Sequence, residues 1–367
     1  MASTTNPVEA SVLETIERGE RNRRAIRLWL AVVLFALFCL VLVGGATRLT
    51  DSGLSITEWK PIHGVIPPLN AEQWDEEFRL YQRIPEYAQI NKDMTVDDFK
   101  RIFWWEWAHR LIARGIGVIF AVPLFFFWVS GRIERRLKGP FLGILALGGF
   151  QGFIGWWMVS SGLAERVDVS QYRLATHLVM ACLIFSLCMW IMRGLAPHSN
   201  DEPPTGNSRT WAAAIAILAF FQIYLGALVA GLDAGLAYNT WPLMDGAIIP
   251  GDLFVQQPAW INLFENPKTV QFVHRIGAYV LFAAALAHMI GSLRAAPDTT
   301  HARRSVVLFL LITVQAALGI TTLLTQVQLH VALAHQAGAL IVLGFAVAHW
   351  RGFVGAYPPQ VAIAVRD

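Results

Sequence analysis

Long hydrophobic blocks without charges alternate with shorter polar segments along the chain, and this alternation predicts the fold class. The first block, residues 28–46, is uncharged and long enough to cross a bilayer as one helix. Because backbone polar groups in lipid must be hydrogen-bonded within their own segment, each block is expected to be an α-helix. We therefore predict an all-α membrane protein with eight transmembrane helices. The predicted spans are approximately residues 28–46, 104–130, 141–160, 173–192, 211–231, 270–292, 305–325 and 332–350.

Positive charges are concentrated on one side of these spans. The segments on that side carry Arg18, Arg21, Arg23, Arg24, Arg27, Arg132, Arg135, Arg136, Lys138, Arg193, Arg209, Arg294, Arg303, Arg304, Arg351 and Arg366. The short segments on the other side carry only Arg166, Arg173 and Lys268. The positive-inside rule therefore predicts a multi-pass protein of the cell inner (plasma) membrane, with both termini in the cytoplasm.

A polar stretch with two prolines and a glycine, residues 200–208, divides the chain into two halves of four spans each. The predicted organisation is a cytoplasmic tail at 1–27, a four-helix bundle at 28–199 with a long external loop at 47–103, a linker at 200–210, a second four-helix bundle at 211–350 and a cytoplasmic tail at 351–367.

The two halves are related in sequence. At a constant offset of 182 residues (226 minus 44), Gly44, Asp51, Gly53, Leu54, Trp59, Gly64, Ile66 and Pro68 match Gly226, Asp233, Gly235, Leu236, Trp241, Gly246, Ile248 and Pro250. Further matches join His109-Arg110 to His274-Arg275, Gln151 and Gly155 to Gln315 and Gly319, and His177 to His335. This conserved order within one chain indicates a duplication. Each unit has an even number of spans, so the pseudo-twofold axis is expected to run along the membrane normal.

The composition, 55% hydrophobic and 15% charged with a net charge of +3, gives no indication of a nucleic-acid partner and makes the lipid bilayer the expected surroundings. The three cysteines, Cys39, Cys182 and Cys188, lie inside hydrophobic blocks. They are expected to be small buried residues rather than a redox pair.

Four of the ten histidines occupy equivalent places in the two halves, in the first turns of even-numbered spans on the predicted external side. They are His109, His177, His274 and His335. The other six are expected to be solvated, interfacial or locally bonded. A lone intramembrane histidine most often makes an interhelical hydrogen bond or belongs to a proton path. Duplicated histidines at matching depth instead favour haem, whose iron has two axial positions that histidine can fill.

Each half is therefore predicted to hold haem iron between two histidines. The pairs are His109 with His177 and His274 with His335. Zinc fits less well because no cysteine or third histidine is placed to complete a tetrahedral site. Arg110 and Arg275 directly follow a predicted ligand, and Arg173 lies one turn before another. We predict that these arginines bind haem propionates, the alternative being that they extend to lipid headgroups.

One acidic residue breaks the symmetry of the halves. Glu106 lies three residues before His109, on the same helical face, and its counterpart is Gln271. A buried carboxylate is costly, so Glu106 either pairs with an arginine such as Arg110 or takes part in chemistry. Because the second half has no acid here, the acid is not needed to hold haem. We infer that the first half is reactive and that the second carries a permanent cofactor.

The chain resembles the haem A synthase family, in its alphaproteobacterial and mitochondrial branch, over nearly its whole length. The resemblance rests on residues 44–50 (GGATRLT), 52–56 (SGLSI), 107–110 (WAHR), 171–177 (QYRLATH), 272–275 (FVHR) and 334–339 (AHQAGA). Some other branches carry a cysteine pair in external loops, which this sequence lacks. A thiol-based step is therefore not expected.

The resemblance implies an oxidoreductase that converts the methyl group of haem O to the formyl group of haem A by successive hydroxylations, for terminal oxidases. It assigns His274 and His335 to a resident haem b, His109 and His177 to the substrate haem, and the catalytic role to Glu106. It also implies association with haem O synthase and oxidase assembly factors. The sequence names neither the electron-transfer partner nor the oxidant, and it leaves the oligomeric state open, homo-oligomers included.

Two other functions account for part of the pattern. A quinol-linked dihaem cytochrome b would use the four histidines equally well, but would not need an acid beside only one pair. A transporter with duplicated halves would use the histidines as a proton relay and would bind no haem.

Overall fold

A computed structural model describes residues 7–59, 63–164, 166–199, 201 and 207–358. Most of the predicted linker, residues 200 and 202–206, and the outer parts of both tails, residues 1–6 and 359–367, lie outside this range. The described residues form helices and connecting segments, without a β-strand. The α-helices are α1 (Pro7–Leu49), α2 (Ala71–Tyr81), α3 (Pro85–Gln89), α4 (Val96–Val129), α5 (Arg135–Val159), α6 (Gln171–Leu195), α7 (Ser208–Gly231), α8 (Asn262–Glu265), α9 (Pro267–Ala295), α10 (Thr300–Leu324) and α11 (Leu329–Val354).

Eight helices in the described part of the chain are long and apolar enough to cross a membrane, as the sequence predicted. These are α1, α4, α5, α6, α7, α9, α10 and α11. Most extend beyond the predicted spans because polar residues also support their ends. In α1, for example, Arg18 pairs with Glu14 at 3.2 Å, one turn apart, within the predicted tail. The helix α4 begins early because Thr95 and Asp98 form a capping box.

The eight long helices pack as two rings. One ring contains α1, α4, α5 and α6, and the other contains α7, α9, α10 and α11. The rings contact each other through α1, α6, α7 and α11, which therefore form the centre of the molecule. A buried apolar core continues through both rings, and Phe185 of α6 packs against Gly344 of α11. Each ring is built from four consecutive long helices, and the predicted domain bounds, the duplication and its twofold axis remain predictions.

The two ends of the bundle carry different features. The four predicted ligand histidines lie near one end, which we call the histidine end. At the opposite end, a buried arginine of α1 forms an ion pair and also bonds the segment that follows α11. The guanidinium of Arg23 donates to Glu134 at 2.6 Å and to the carbonyls of Tyr357 and Pro358 at 3.1 and 2.7 Å.

A small folded unit, which we call the cap, covers the histidine end of the first ring. It comprises residues 50–59 and 63–95, including α2 and α3. Its buried side chains Leu54, Phe78 and Tyr81 form one core with Phe99 and Phe103 of α4. Because α4 begins inside this core, the cap fixes the height and rotation of the helix that carries His109 and Glu106.

Candidate functional site

Each of the four predicted ligand histidines packs its ring against a glycine of the neighbouring helix. A methyl group built on the glycine would lie 2.8 Å from Cε1 for Gly44 and His109, 3.1 Å for Gly155 and His177, 3.1 Å for Gly226 and His274, and 2.8 Å for Gly319 and His335. A larger residue would therefore displace the ring or the helix. The sequence matched these glycines between the halves but gave them no role.

The histidines of each predicted pair lie on helices that stand opposite each other in one ring of helices, α4 and α6 in the first and α9 and α11 in the second. All four rings lie deep in the protein yet retain part of their accessible surface. Side chains that line a crevice between helices have this combination. The donor set is two imidazoles in each half, which suits the axial positions of haem iron.

Three of the four histidines are also held by a glutamine from the helix that supplies the glycine. The glutamine Nε2 lies 3.2 Å from the ring Nδ1 for Gln151 and His177, 3.0 Å for Gln222 and His274, and 3.1 Å for Gln315 and His335. Each amide also donates to the backbone carbonyl of the same histidine, at 2.8 to 2.9 Å. Each glutamine precedes its glycine by four residues, so both face the ring. This repeated Gln-x-x-x-Gly pattern could have identified the residues from sequence.

His109 is the exception among the four. The residue four positions before Gly44 is Leu40, so no amide faces the ring. The backbone carbonyl of Leu40 is the polar group that approaches the ring instead. The buried Nδ1 of His109 consequently has no hydrogen-bond partner within the described residues.

Glu106 is buried and fully bonded. Its Oε1 accepts from Arg110 Nε at 3.1 Å and Nη2 at 2.6 Å. Its Oε2 accepts from the Ser55 hydroxyl at 2.8 Å and the Ile56 backbone N–H at 2.7 Å. The pairing with Arg110 that the sequence allowed is therefore present. Because every contact is a donor, the arrangement stabilises the charged carboxylate and fastens the cap to α4.

The second half repeats this arrangement with an uncharged residue. Gln271 accepts from Arg275 at 2.9 Å and donates to the Ala234 carbonyl at 2.7 Å. Arg275 also donates to the carbonyls of Tyr238 and Thr240, at 3.0 and 2.9 Å. The two arginines thus bond matching loop carbonyls, whereas Gln271 donates to the loop and Glu106 accepts from it. The halves therefore differ in charge and in hydrogen-bond direction at this position.

The arginines predicted to bind propionates also bond protein groups. Arg110 donates to the carbonyls of Ile56 and Glu58 at 2.8 and 3.1 Å, at positions that match the carbonyls bonded by Arg275. Arg173 donates to the Trp157 carbonyl at 2.6 Å and lies over the ring of the same residue. All three guanidinium groups lie at the histidine end, where they join helices to connecting segments.

A cleft opens beside the ion pair of Glu106 and Arg110. It has a volume of about 480 Å³ and lies between the cap and α4. Its lining includes Arg110, Arg114, Phe103 and Ile56. The ion pair of Glu106 and Arg110, which fastens the cap to α4, is therefore reachable from the surface of the histidine end.

Sequence reasoning missed a second histidine contact at the opposite end of the bundle. His288 of α9 and His349 of α11 are both buried, and their Nε2 atoms are 2.9 Å apart. They were expected to be locally bonded, and they bond each other. The first half has Pro123 and Ile191 at the corresponding places, so this pair has no duplicate.

Comparison with known proteins gives a consistent family assignment. A family model for COX15-CtaA, described as cytochrome oxidase assembly protein, matches residues 27–347. A protein of Rhizobium meliloti (strain 1021) named heme A synthase is 77% identical over 367 residues, with 100% of both chains covered. Proteins of the same name from Sinorhizobium medicae (strain WSM419) and Rhizobium etli (strain CIAT 652) are 76% and 74% identical, also over 100% of both chains.

Proposed function

Because this chain belongs to the COX15-CtaA family of cytochrome oxidase assembly proteins, we propose that it is a haem A synthase. It oxidises the methyl group of haem O to a formyl group and works as a multi-pass membrane protein. The observation that carries this proposal is 77% identity, over the full length of both chains, to a protein named heme A synthase. The paired histidines at the ends of facing helices are the chemical feature that such a substrate requires.

The second half is proposed to hold a resident haem b through His274 and His335. The fit of the residues supports this assignment, because each ring has a glycine beside it and an amide at Nδ1. The amide nitrogen now faces Nδ1, and turning the amide over would present its buried, unpartnered Oε1 to an Nδ1–H, the tautomer that leaves Nε2 free for iron. When bound, haem b supplies one-electron transfer.

The first half is proposed to bind haem O through His109 and His177. The cap covers this ring of helices, and we propose that it keeps bulk water from the substrate. Its position over α4, with Phe99 and Phe103 in the shared core, supports that role. The membrane-embedded site suits a lipophilic substrate that arrives through the bilayer.

Glu106 is proposed to act near the reacting methyl group. All four of its hydrogen-bond partners are donors, so we propose that it orients water or stabilises a developing positive charge by electrostatics. Moving a proton at Oε1 would require Arg110 to withdraw. The uncharged Gln271 at the matched position supports placing the chemistry in the first half.

The three arginines are proposed to meet propionates at the edge of each site. Arg110, Arg173 and Arg275 lie within four residues of a histidine and at the same end of the bundle. Their bonds to carbonyls leave the positive charge uncompensated in Arg173 and Arg275, which supports attraction of carboxylates.

We further propose that the protein lies in the plasma membrane with both termini in the cytoplasm. The concentration of Lys and Arg at the end opposite the histidines supports this orientation. Haem O synthase and oxidase assembly factors are the proposed partners, because one makes the substrate and the others use the product.

Haem extraction with mass analysis tests the function. Cells that supply haem O but lack their own haem A synthase would express this protein or an empty vector. We expect haem A only with the protein. Unchanged haem O together with protein-bound haem b would contradict the proposal and favour an electron-transfer cytochrome. A purified protein without a low-spin haem spectrum would favour a transporter.

A further inference from the structure

The four histidine environments provide an internal comparison within one chain. Each ring faces position i+4 of a neighbouring helix, where a glycine always stands. Position i holds Gln151, Gln222 or Gln315 in three cases and Leu40 in the fourth. The glycine contact is therefore common to all four histidines, whereas the glutamine amide is present beside only three of them.

The amide contact restrains the ring in two ways. It approaches Nδ1 and at the same time bonds the backbone carbonyl of that histidine, so one side chain fixes both the ring and the helix behind it. Partners of this kind set the orientation and basicity of a metal-bound imidazole, and their loss commonly costs about 10- to 100-fold in metal affinity.

His109 lacks an amide restraint of this kind and has the Leu40 backbone carbonyl near its ring instead, although the helix around it is firmly held. Glu106 and Arg110, on the same helix, bind the cap through Ser55, Ile56 and Glu58. The Nδ1 atom of His109 has no partner within the described residues. The freedom is therefore confined to the side chain and does not require movement of α4.

We propose that Gln151, Gln222 and Gln315 are positioning residues, and that His109 is the exchangeable axial ligand through which the substrate haem is taken up and released. The proposal rests on the function proposed above. An enzyme that turns over must release its product haem while keeping its resident haem. His109, the one ligand without an amide contact, would allow the product haem to leave. The three ligands with an amide contact would keep the resident haem bound and one side of the substrate haem attached. His177, held by Gln151, keeps the substrate haem attached while His109 opens and closes.

A reciprocal exchange between the halves tests the proposal. Gln222→Leu removes the amide beside His274, so that this histidine resembles His109. Leu40→Gln adds an amide beside His109, so that this histidine resembles His274. The haem-loaded protein would be mixed with excess apomyoglobin, and each released haem identified by chromatography. In the natural protein we expect haem O and haem A to leave faster than haem b. Gln222→Leu should speed haem b release about tenfold, and Leu40→Gln should slow haem O release about tenfold.

A second measurement distinguishes loss of the glutamine contact to the histidine from a general loosening of the fold. The Gln222 side chain contacts Nδ1 of a proposed iron ligand, so its loss should shift the midpoint potential of haem b in Gln222→Leu. Leu42→Gln places an amide on α1 two residues away, facing another direction. Thr313→Val removes an exposed polar group from α10. Both controls should keep the release rates and potentials of the natural protein.

Natural release rates and an unchanged potential in folded, haem-loaded Gln222→Leu would overturn the positioning role. An unchanged haem O release rate in Leu40→Gln would overturn the role of His109. If that variant does not fold, Gln151→Leu replaces it and should speed haem O release. These rates are measured with supplied haem O, so a protein that exchanges haem as expected but forms no haem A contradicts the proposed function alone. A protein that binds no haem contradicts both.

Discussion

At the scale of single residues, the site depends on glycines, which have no side chain, as much as on the histidines. The histidine rings approach a neighbouring helix closely because glycine leaves that space free. In lipid, small residues commonly mark such close helix contacts. Here they face the imidazole itself, so they set where the ring nitrogens can lie.

Gly155→Val should remove the low-spin haem of the first half. A methyl group at this position already lies 3.1 Å from Cε1 of His177, and valine adds two more carbons. The matched control is Gly152→Val, one turn earlier on α5, where an added Cβ meets no atom within 4 Å. Absorption spectra and extracted haem, relative to protein, measure the result. Equal haem O content in both variants would show that the ring contact does not matter.

At the scale of elements, the cap is the part of the fold that hydrophobicity could not foresee. Its segment has mixed charges, so only a long loop was predicted there. The structure supplies α2, α3 and a core around Tyr81 and Phe99. Polar capping also extends α4 into this core, beyond the predicted span. Such features depend on which side chains meet across the fold, which periodicity along one segment does not reveal.

The cap should lose stability as the pH rises from about 4.5 to 8. Burial raises the pKa of the Glu86 carboxyl from 4.5 to about 8, and its Oε2 has no hydrogen-bond partner within the described residues. The folded cap therefore binds this proton more tightly than the unfolded chain. Stability is greatest below the unfolded pKa and falls by at most about 1.4 kcal/mol per pH unit across the window.

Hydrogen exchange of α2 and α3, corrected for intrinsic rates, measures this dependence. Glu86→Gln should remove most of it and make the cap more protected near pH 8. Glu76→Gln changes an exposed acid of the same cap and should leave the dependence in place. Protection that stays constant from pH 5 to 8 in the natural protein would contradict the account.

At the scale of the whole molecule, the sequence predicted most of the architecture and part of the site. The eight spans follow from hydrophobicity alone, because lipid leaves the backbone few alternatives. The four histidines and Glu106 followed from comparing the halves. The glutamines remained without a role, and the contact of His288 with His349 was missed, because both depend on how helices rotate against each other.

The central claim is that two similar rings of helices perform different tasks. Arg110 in one ring and Arg275 in the other bond matching loop carbonyls, beside Glu106 and Gln271 respectively. The rings differ in the charge at that position and in the amide that His109 lacks. We propose that this division places chemistry in the first ring and the resident cofactor in the second.

Glu106→Gln tests that claim most directly, because it removes the negative charge and Gln271 shows that an amide fits beside an arginine at the matched position. Purified variant and natural protein would be compared for bound haem and for haem A formed from supplied haem O, with Asp97→Asn, an exposed acid of α4, as the control. We predict unchanged haem b and haem O binding in Glu106→Gln, with haem A formation reduced at least about 100-fold. Haem A formed at the natural rate, with natural haem occupancy, would contradict the account.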